Sequence, residues 1–405
     1  MKKIEHDYGK KNFCRDKKNC LMILPRPIFP LVSGYSNKNY NLIQGLCSQY
    51  NLTLILLSTK NLCEEEAAFY QEHTCRVVEV VTHKYENYIT AFQYLFSTQP
   101  IQVGYYYKKT IAKLVRALSQ DFDIVVASLV RTVKYLKEVP DSCIKIFDMV
   151  DSIGLNYMHS LHQTTSVFWK LLYKIEGKRL VTYEKEQVAR ADCSFFINQK
   201  EEKFYRKYGN TAWLPHGVKE ELFSYETFDP RYEKSVVFIG KMDYQPNIDA
   251  VKWYIENVHS KIGEKFPFII VGANPSKELR TLERKYSNIT ITGYCKDPYI
   301  YLKSAMVIVA PMQTGGGIQN KVLEGMALGK INVITSLAAS PIDGAKDKED
   351  FLIADKAEEY CEFIQMISEE NERYQRIGKH AKEFVHKRFS WSSFNTKYIQ
   401  TINSL

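Results

Sequence analysis

Ala310-Pro311-Met312-Gln313-Thr314-Gly315-Gly316-Gly317-Ile318-Gln319-Asn320-Lys321-Val322-Leu323-Glu324-Gly325-Met326-Ala327-Leu328-Gly329 reads as the end of a strand, a glycine turn and a helix. The apolar run from Met306 stops at Ala310, and Gly315, Gly316 and Gly317 turn the chain. Val322, Leu323, Met326 and Ala327 then recur at the spacing of one helix face laid on a sheet, and Gly329 supplies the stop. Glycine lets a backbone approach a ligand, and the first-turn N–H groups of the helix point at whatever lies beyond the strand. That is an anion-binding arrangement. Lys321 and Glu324, three residues apart, share a helical face near this N-terminus. The lysine suits a phosphate. The glutamate, an anion beside an anion site, needs another partner, and paired sugar hydroxyls that both donate to one carboxylate supply it. The plainer reading is a surface helix pair contributing roughly a few tenths of a kcal/mol; a triple glycine after a strand favours a site.

Outward from this segment, short apolar runs bounded by turn residues alternate with helical patterns along the whole chain. This is the signature of parallel sheets covered by helices, so the fold class is α/β. Strands are expected over 20–24, 52–57, 77–81, 124–127, 144–147 and 193–197, and again over 235–239, 268–271, 289–292, 306–310 and 332–335. Two sheets follow, joined by a polar linker over 219–234, which gives domains at 1–222 and 223–388 and a closing helix at 389–405 opened by Phe389-Ser390-Trp391. Ligands of open parallel sheets sit beyond the carboxyl ends of the strands. Val236 to Met242 is a second such place, a strand ending in Gly240-Lys241 and followed by Tyr244-Gln245-Pro246-Asn247 and a helix. Taken alone, Gly-Lys after a strand reads as readily as an ordinary loop. As a site, it makes Lys241 face the same ligand as Lys321, and two lysines balance a diphosphate without a metal, so neither metal nor cofactor is expected.

These residues resemble the donor-binding domain of the retaining GT-B glycosyltransferases of the group-1 (family 4) class. The resemblance is carried by Phe238-Ile239-Gly240-Lys241-Met242, Pro246-Asn247, Val271-Gly272-Ala273-Asn274-Pro275, Thr290-Ile291-Thr292-Gly293-Tyr294, and Gly315-Gly316-Gly317 with Ile318 through Ala327, in the family's order over about 90 residues. It implies two Rossmann-like domains facing a cleft, a nucleoside-diphosphate-sugar donor, and a closing helix that crosses back to the first domain. By resemblance Glu324 holds the ribose, Lys241 and Lys321 hold the diphosphate, and Gly293 and Tyr294 border the base. The family's glutamate pair, eight residues apart, would put its first member at Gly316. Glycine there removes direct carboxylate contact with the donor sugar, as in the subgroup with a Gly-rich loop.

The first half is similar to the acceptor domain of that family more loosely, through Leu24-Pro25 with Gly34, Ile146 to Ser152, and Leu214-Pro215-His216-Gly217-Val218. Asp148 and Asp151 follow a strand and are candidates for acceptor hydroxyl binding or base chemistry, with helix capping as the alternative. Arg131 is a candidate for an acceptor phosphate or a donor oxygen. The resemblance implies transfer with retention, the leaving phosphate helping to deprotonate a glycan or polyprenyl-linked acceptor of a bacterial surface polysaccharide. Two rivals share the nucleotide contacts. A GT-B-fold sugar-nucleotide epimerase would give epimerised donor without acceptor, and a silent subunit of a polysaccharide assembly complex would bind nucleotide without turnover.

Bulk properties narrow the partners. The nine cysteines are scattered with no Cys-x-x-Cys pair, which points to neither a disulfide framework nor zinc and suits a reducing, cytoplasmic setting. The first apolar stretch, 21–32, is broken by Arg26 and prolines and is not a signal peptide, and no run reaches the ~20 apolar residues of a membrane span. A net charge of +9 favours an anionic partner. No basic-aromatic recognition motif supports nucleic acid. Residues 108–118 read as a helix with Ile111, Leu114, Val115 and Leu118 on one face and Lys108, Lys109, Lys113 and Arg116 elsewhere. It is read first as an ordinary surface helix and second as a peripheral contact with anionic inner-membrane lipid.

Overall fold

The computed structural model describes residues 2–31, 33–163, 167–314 and 317–405. The chain divides into two units, Met1–His216 with Phe394–Leu405, and Gly217–Ser393. The first is built on β1 (Lys2–Asp7), β2 (Asn19–Leu24), β3 (Asn51–Ser58), β4 (Arg76–Val81), β5 (Ile124–Ser128), β6 (Ile144–Val150), β7 (Cys193–Phe196) and β8 (Thr211–Trp213). They lie in the order β1-β4-β3-β2-β5-β6-β7-β8, parallel except for β1, which runs antiparallel to β4. The second unit holds β9 (Val236–Ile239), β10 (Phe268–Val271), β11 (Ile289–Gly293), β12 (Val307–Ala310), β13 (Asn332–Ile334) and β14 (Leu352–Ile353). Their order is β11-β10-β9-β12-β13-β14, parallel throughout.

Helices cover both faces of a parallel sheet, so its inner strands are buried on both sides and read as unbroken apolar runs. Every residue of β3, β5 and β10 is buried. All of the strands expected from the sequence are present. β1, β8 and β14 are additional. β1 has no buried residue, and an edge strand without a buried face carries no apolar period to read. In each sheet the strand order reverses beside the first parallel strand, between β2 and β5 and between β9 and β12. The crevice at such a reversal is where ligands of open α/β sheets bind.

One expectation changes, and two others are met. The linker proposed over 219–234 belongs to the second unit: Val218 and Leu222 lie in its core, and the Val218 N–H donates to the Phe389 carbonyl at 2.7 Å. The closing helix, Trp391–Asn403, joins the first unit from Phe394 onward. Tyr398 is fully buried there and stacks on Phe195 with ring centroids 4.1 Å apart, the Tyr50 hydroxyl donates to Asn403 Oδ1 at 2.8 Å, and Asn395 Nδ2 donates to the Asn41 carbonyl at 3.0 Å. Finally, helix Lys109–Leu118 turns Ile111, Ala112 and Val115 into the core of the first unit, with Leu114 and Leu118 packed against it. Its apolar face is spent on folding, as the ordinary surface-helix reading expects. No helix among the described residues is long and apolar enough to cross a membrane.

Candidate active site

In the second unit the segments after β9 and β12 meet around a cavity of ≈ 630 Å³, lined by Gly240, Lys241, Asn247, Ile318, Lys321 and Glu324 among others. Asn247, buried in the first turn of helix Gln245–Tyr254, ties the two segments together. Its Nδ2 donates to the Lys241 carbonyl at 2.9 Å, and its Oδ1 accepts from Lys321 Nζ at 2.5 Å. Gly240 is glycine for a steric reason, since a Cβ there would stand 2.6 Å from Asn247 Nδ2. The Lys321 ammonium also lies 4.5 Å above the Phe238 ring.

Burial pushes Lys321 down to about 8 and Glu324 up to about 7. Lys219 opposes the shift of Glu324, as does the Tyr299 hydroxyl, which donates to Glu324 Oε1 at 3.4 Å. Lys219 in turn stands 5.3 Å from the centre of the Tyr299 ring. Among the described residues no ion pair joins Lys321 to Glu324, so these two are not the surface pair of the plainer reading. Helix Asn320–Ala327 receives no side-chain cap from Gln319, which leaves its first turn open to a ligand.

The other expected donor residues divide into three groups. Gly317 has φ +78° and a Cβ there would meet nothing within 4 Å, so the backbone conformation and not crowding calls for glycine. Gly315 and Gly316 lie outside the described residues. Gly272, Gly293 and Tyr294 are not among the residues lining the cavity. A Cβ on Gly272 would fall 1.8 Å from the Gly240 carbonyl oxygen, Gly293 turns the end of β11 at φ +67°, and Tyr294 is 83% exposed.

In the first unit, Gly34 opens helix Gly34–Gln49, capped by Ser33, whose Oγ accepts from the Ser36 N–H at 3.1 Å. A Cβ on Gly34 would stand 3.3 Å from His216 Cε1, and burial, with Lys38 adding to it, pushes the His216 imidazole down to about 4. Asp148 departs from expectation. β6 runs on to Val150, so Asp148 lies inside the strand, 1% exposed, and its carboxylate is ion-paired with the equally buried Lys38. It is not an open base. Burial pulls Lys38 below the usual ammonium range, with Asp148 opposing. Asp151, beyond the strand, is exposed, and the cap of the next helix is Ser152, whose Oγ accepts from the Leu155 N–H at 3.0 Å. Arg131 follows β5, donates from Nε to Gln102 Oε1 at 3.3 Å and lies 5.4 Å from the centre of the Tyr106 ring.

Sequence reasoning missed a second cavity in this unit, of ≈ 340 Å³, at the carboxyl ends of β2, β3 and β4. Arg26, Lys60, Lys84 and Lys108 line it together with Tyr105 and Tyr106, and its lining includes no carboxylate. The four cations come from separate loops and helix ends, so no local cluster announced them. Among the described residues no group of three His, Cys, Asp or Glu side chains is placed to hold a metal ion. The Asp-x-Asp spacing of Asp121-Phe122-Asp123 stands at the amino end of β5, where Asp123 Oδ2 accepts from the Asn19 N–H at 2.7 Å.

Two parallel-sheet units, the second with its cavity at the β9–β12 reversal, define the GT-B architecture of glycosyltransferases. HepE from Anabaena, solved with UDP, is similar with a TM-score of 0.63 at 11% identity over 96% of this chain and 100% of its own. A glycosyltransferase from Rickettsia africae gives 0.62 at 12% over 96% and 98%. Residues 233–370 match the family model described as glycosyl transferases group 1, so the second unit is a group 1 glycosyltransferase domain. A Klebsiella pneumoniae protein described as an uncharacterized 44.6 kDa protein in the cps region is 22% identical over 348 residues, 83% of this chain and 87% of its own.

Proposed function

We propose that the protein moves a sugar from a nucleoside-diphosphate sugar to a glycan or polyprenyl-linked saccharide, with retention of configuration, on the cytoplasmic side of a bacterial surface-polysaccharide pathway. The observation that carries this reading is the pairing of a half-buried cation and a half-buried carboxylate in one cavity at a sheet reversal, Lys321 for a diphosphate and Glu324 for ribose hydroxyls. The HepE neighbour, solved with UDP and with UDP-glucose, supports the donor class, and the cps-region relative supports the setting. Lys241, Lys321 and the open first-turn amides of helix Asn320–Ala327 stabilise the departing diphosphate, whose own oxygen takes the acceptor proton. Charge balance by the two lysines makes the reaction metal-independent. Gly34, Arg131 and Asp151 contact the acceptor, and the basic cavity of the first unit suits an acceptor that carries phosphate.

A thermal-shift screen against UDP, GDP, ADP, dTDP and CMP, with and without Mg²⁺, tests the donor. A ligand at about 100 times its dissociation constant stabilises by ~2.7 kcal/mol, a shift of several degrees. One nucleoside diphosphate is expected to give that shift without metal; silence from all five would remove the donor reading.

The same site sets a pH profile. Glu324 must be ionised to accept ribose hydroxyls and Lys321 protonated to meet phosphate. Nucleotide affinity therefore rises as pH climbs through about 7, where Glu324 ionises, and falls above about 8, where Lys321 loses its proton. Titration calorimetry across this range checks both limbs, and Glu324→Gln should erase only the acid one. A flat wild-type profile counts against both assignments.

A further inference from the structure

Helix Lys84–Leu95 covers the first unit with its apolar stripe facing outward. Asn87 and Ala91 are buried beneath it, while Tyr85, Tyr88, Ile89 and Phe92 are 57–63% exposed and Phe96, just past its end, is 84% exposed. These five recur at i, i+3, i+4, i+7 and i+11, one helical face, which in a helix packed on a sheet ordinarily turns inward. The polar face is fastened down instead. Asn87 Nδ2 donates to Thr82 Oγ1 at 3.1 Å, and Thr90 Oγ1 accepts from Lys108 Nζ at 2.5 Å, so the helix cannot roll without losing both bonds.

A second stripe adjoins the first. Arg179 Nη2, on helix Val167–Arg190, donates to the Leu95 carbonyl at 3.2 Å. The exposed N-terminal half of that helix presents Phe168, Trp169, Leu171 and Ile175. Lys170, Lys174 and Lys178, spaced i, i+4, i+8 and all exposed, form a neighbouring row. Within 84–96 and 168–179 the only acids are Glu86, partly buried, and Glu176, buried. The surface is thus apolar and aromatic, edged with lysine and nearly free of negative charge.

We propose that the first unit docks on a lipid bilayer bearing anionic headgroups through helix Lys84–Leu95 and the N-terminal half of helix Val167–Arg190. Tyr88, Ile89, Phe92, Phe96, Trp169 and Leu171 enter the boundary between headgroups and acyl chains, the depth aromatic side chains prefer, and the lysine row meets lipid phosphates. The charge decides the occupant: a face edged with three aligned lysines and nearly devoid of acids matches a negative layer over an apolar interior, whereas two copies of it would set lysine against lysine. This inference goes beyond the transferase reading and does not depend on it.

Flotation with vesicles of phosphatidylcholine, alone or mixed with phosphatidylglycerol, tests it. The wild type is expected to float with the anionic vesicles, to do so less as salt is raised, and to ignore the neutral ones. Tyr88→Ser/Ile89→Ser/Phe92→Ser, all exposed and therefore compatible with folding, should weaken that binding at least about tenfold with the melting midpoint unchanged. Lys170→Gln/Lys174→Gln/Lys178→Gln should abolish the preference for anionic lipid. Failure of the wild type to float with either vesicle, or flotation indifferent to the serine variant, overturns the proposal. So does a lipid-free dimer in sedimentation that the serine variant dissociates, because it gives the face to a second copy of the chain.

Discussion

Lys321→Ala is expected to weaken nucleoside-diphosphate binding by roughly 10- to 150-fold and to cut sugar transfer at least as much, while leaving the melting temperature unchanged or slightly higher. The affinity range follows from one or two charge-assisted hydrogen bonds at ~1.5–3 kcal/mol in total. The stability half follows from the cost of the residue's position. Lys321 is a cation taken partly out of water, with the neutral Asn247 Oδ1 and the Phe238 ring as neighbours, and burial already presses its proton affinity down to about 8. Removing it relieves that desolvation and leaves Asn247 Oδ1 facing an open cavity that water can reach. Calorimetry with the nucleotide found in the screen, beside differential scanning calorimetry of the free variant, reads both quantities. Wild-type affinity would dismiss Lys321 from the site, and a large loss of stability would make it a structural residue.

Asp148→Ala is expected to destabilise the first unit by ~3–5 kcal/mol, because it strands the Lys38 ammonium in the core without its counter-charge. For a unit of this size that is a fall of roughly 10 °C. Filling the space with apolar groups, Lys38→Met/Asp148→Leu, should recover most of the loss, since a buried ion pair replaced as a whole costs little. The double variant also separates structure from chemistry. If the carboxylate only neutralises Lys38, transfer activity returns with the fold; a stable but inactive double variant would put Asp148 back in the reaction.

The contrast between these two residues shows what could be read from the chain in advance. Lys321 sits in a motif with its own local logic, a strand, a turn of small residues and a helix start, so its neighbourhood was legible without tertiary information. Asp148 was placed beyond its strand because the apolar run ends at Phe147, yet β6 continues to Val150, where a residue at φ +66° ends it. Nothing local announces that a lysine in helix Gly34–Gln49 will be buried beneath that strand's end. Lys38 was therefore missed, as was Lys219, hidden in a stretch read as linker. The inner strands were legible because two-sided burial writes them as apolar runs; β1, at the edge, writes as scattered charge. Helix Lys109–Leu118 was read correctly as amphipathic, but amphipathicity alone does not say whether the apolar face meets a core or a membrane. The outward stripe of helix Lys84–Leu95 became visible only once Asn87 and Ala91 were seen beneath it.

Because residues 394–405 complete the first unit, that unit is completed only after the second has been synthesised. Phe195, Tyr50 and the Gly45 face of helix Gly34–Gln49 have left the ribosome long before Tyr398, Asn403 and Asn395 arrive to cover them, and the whole second unit is made in between. Until then the Phe195 ring lacks its stacking partner, and the Tyr50 hydroxyl and the Asn41 carbonyl lack the side chains they bond. The order of translation thus runs against the order of assembly.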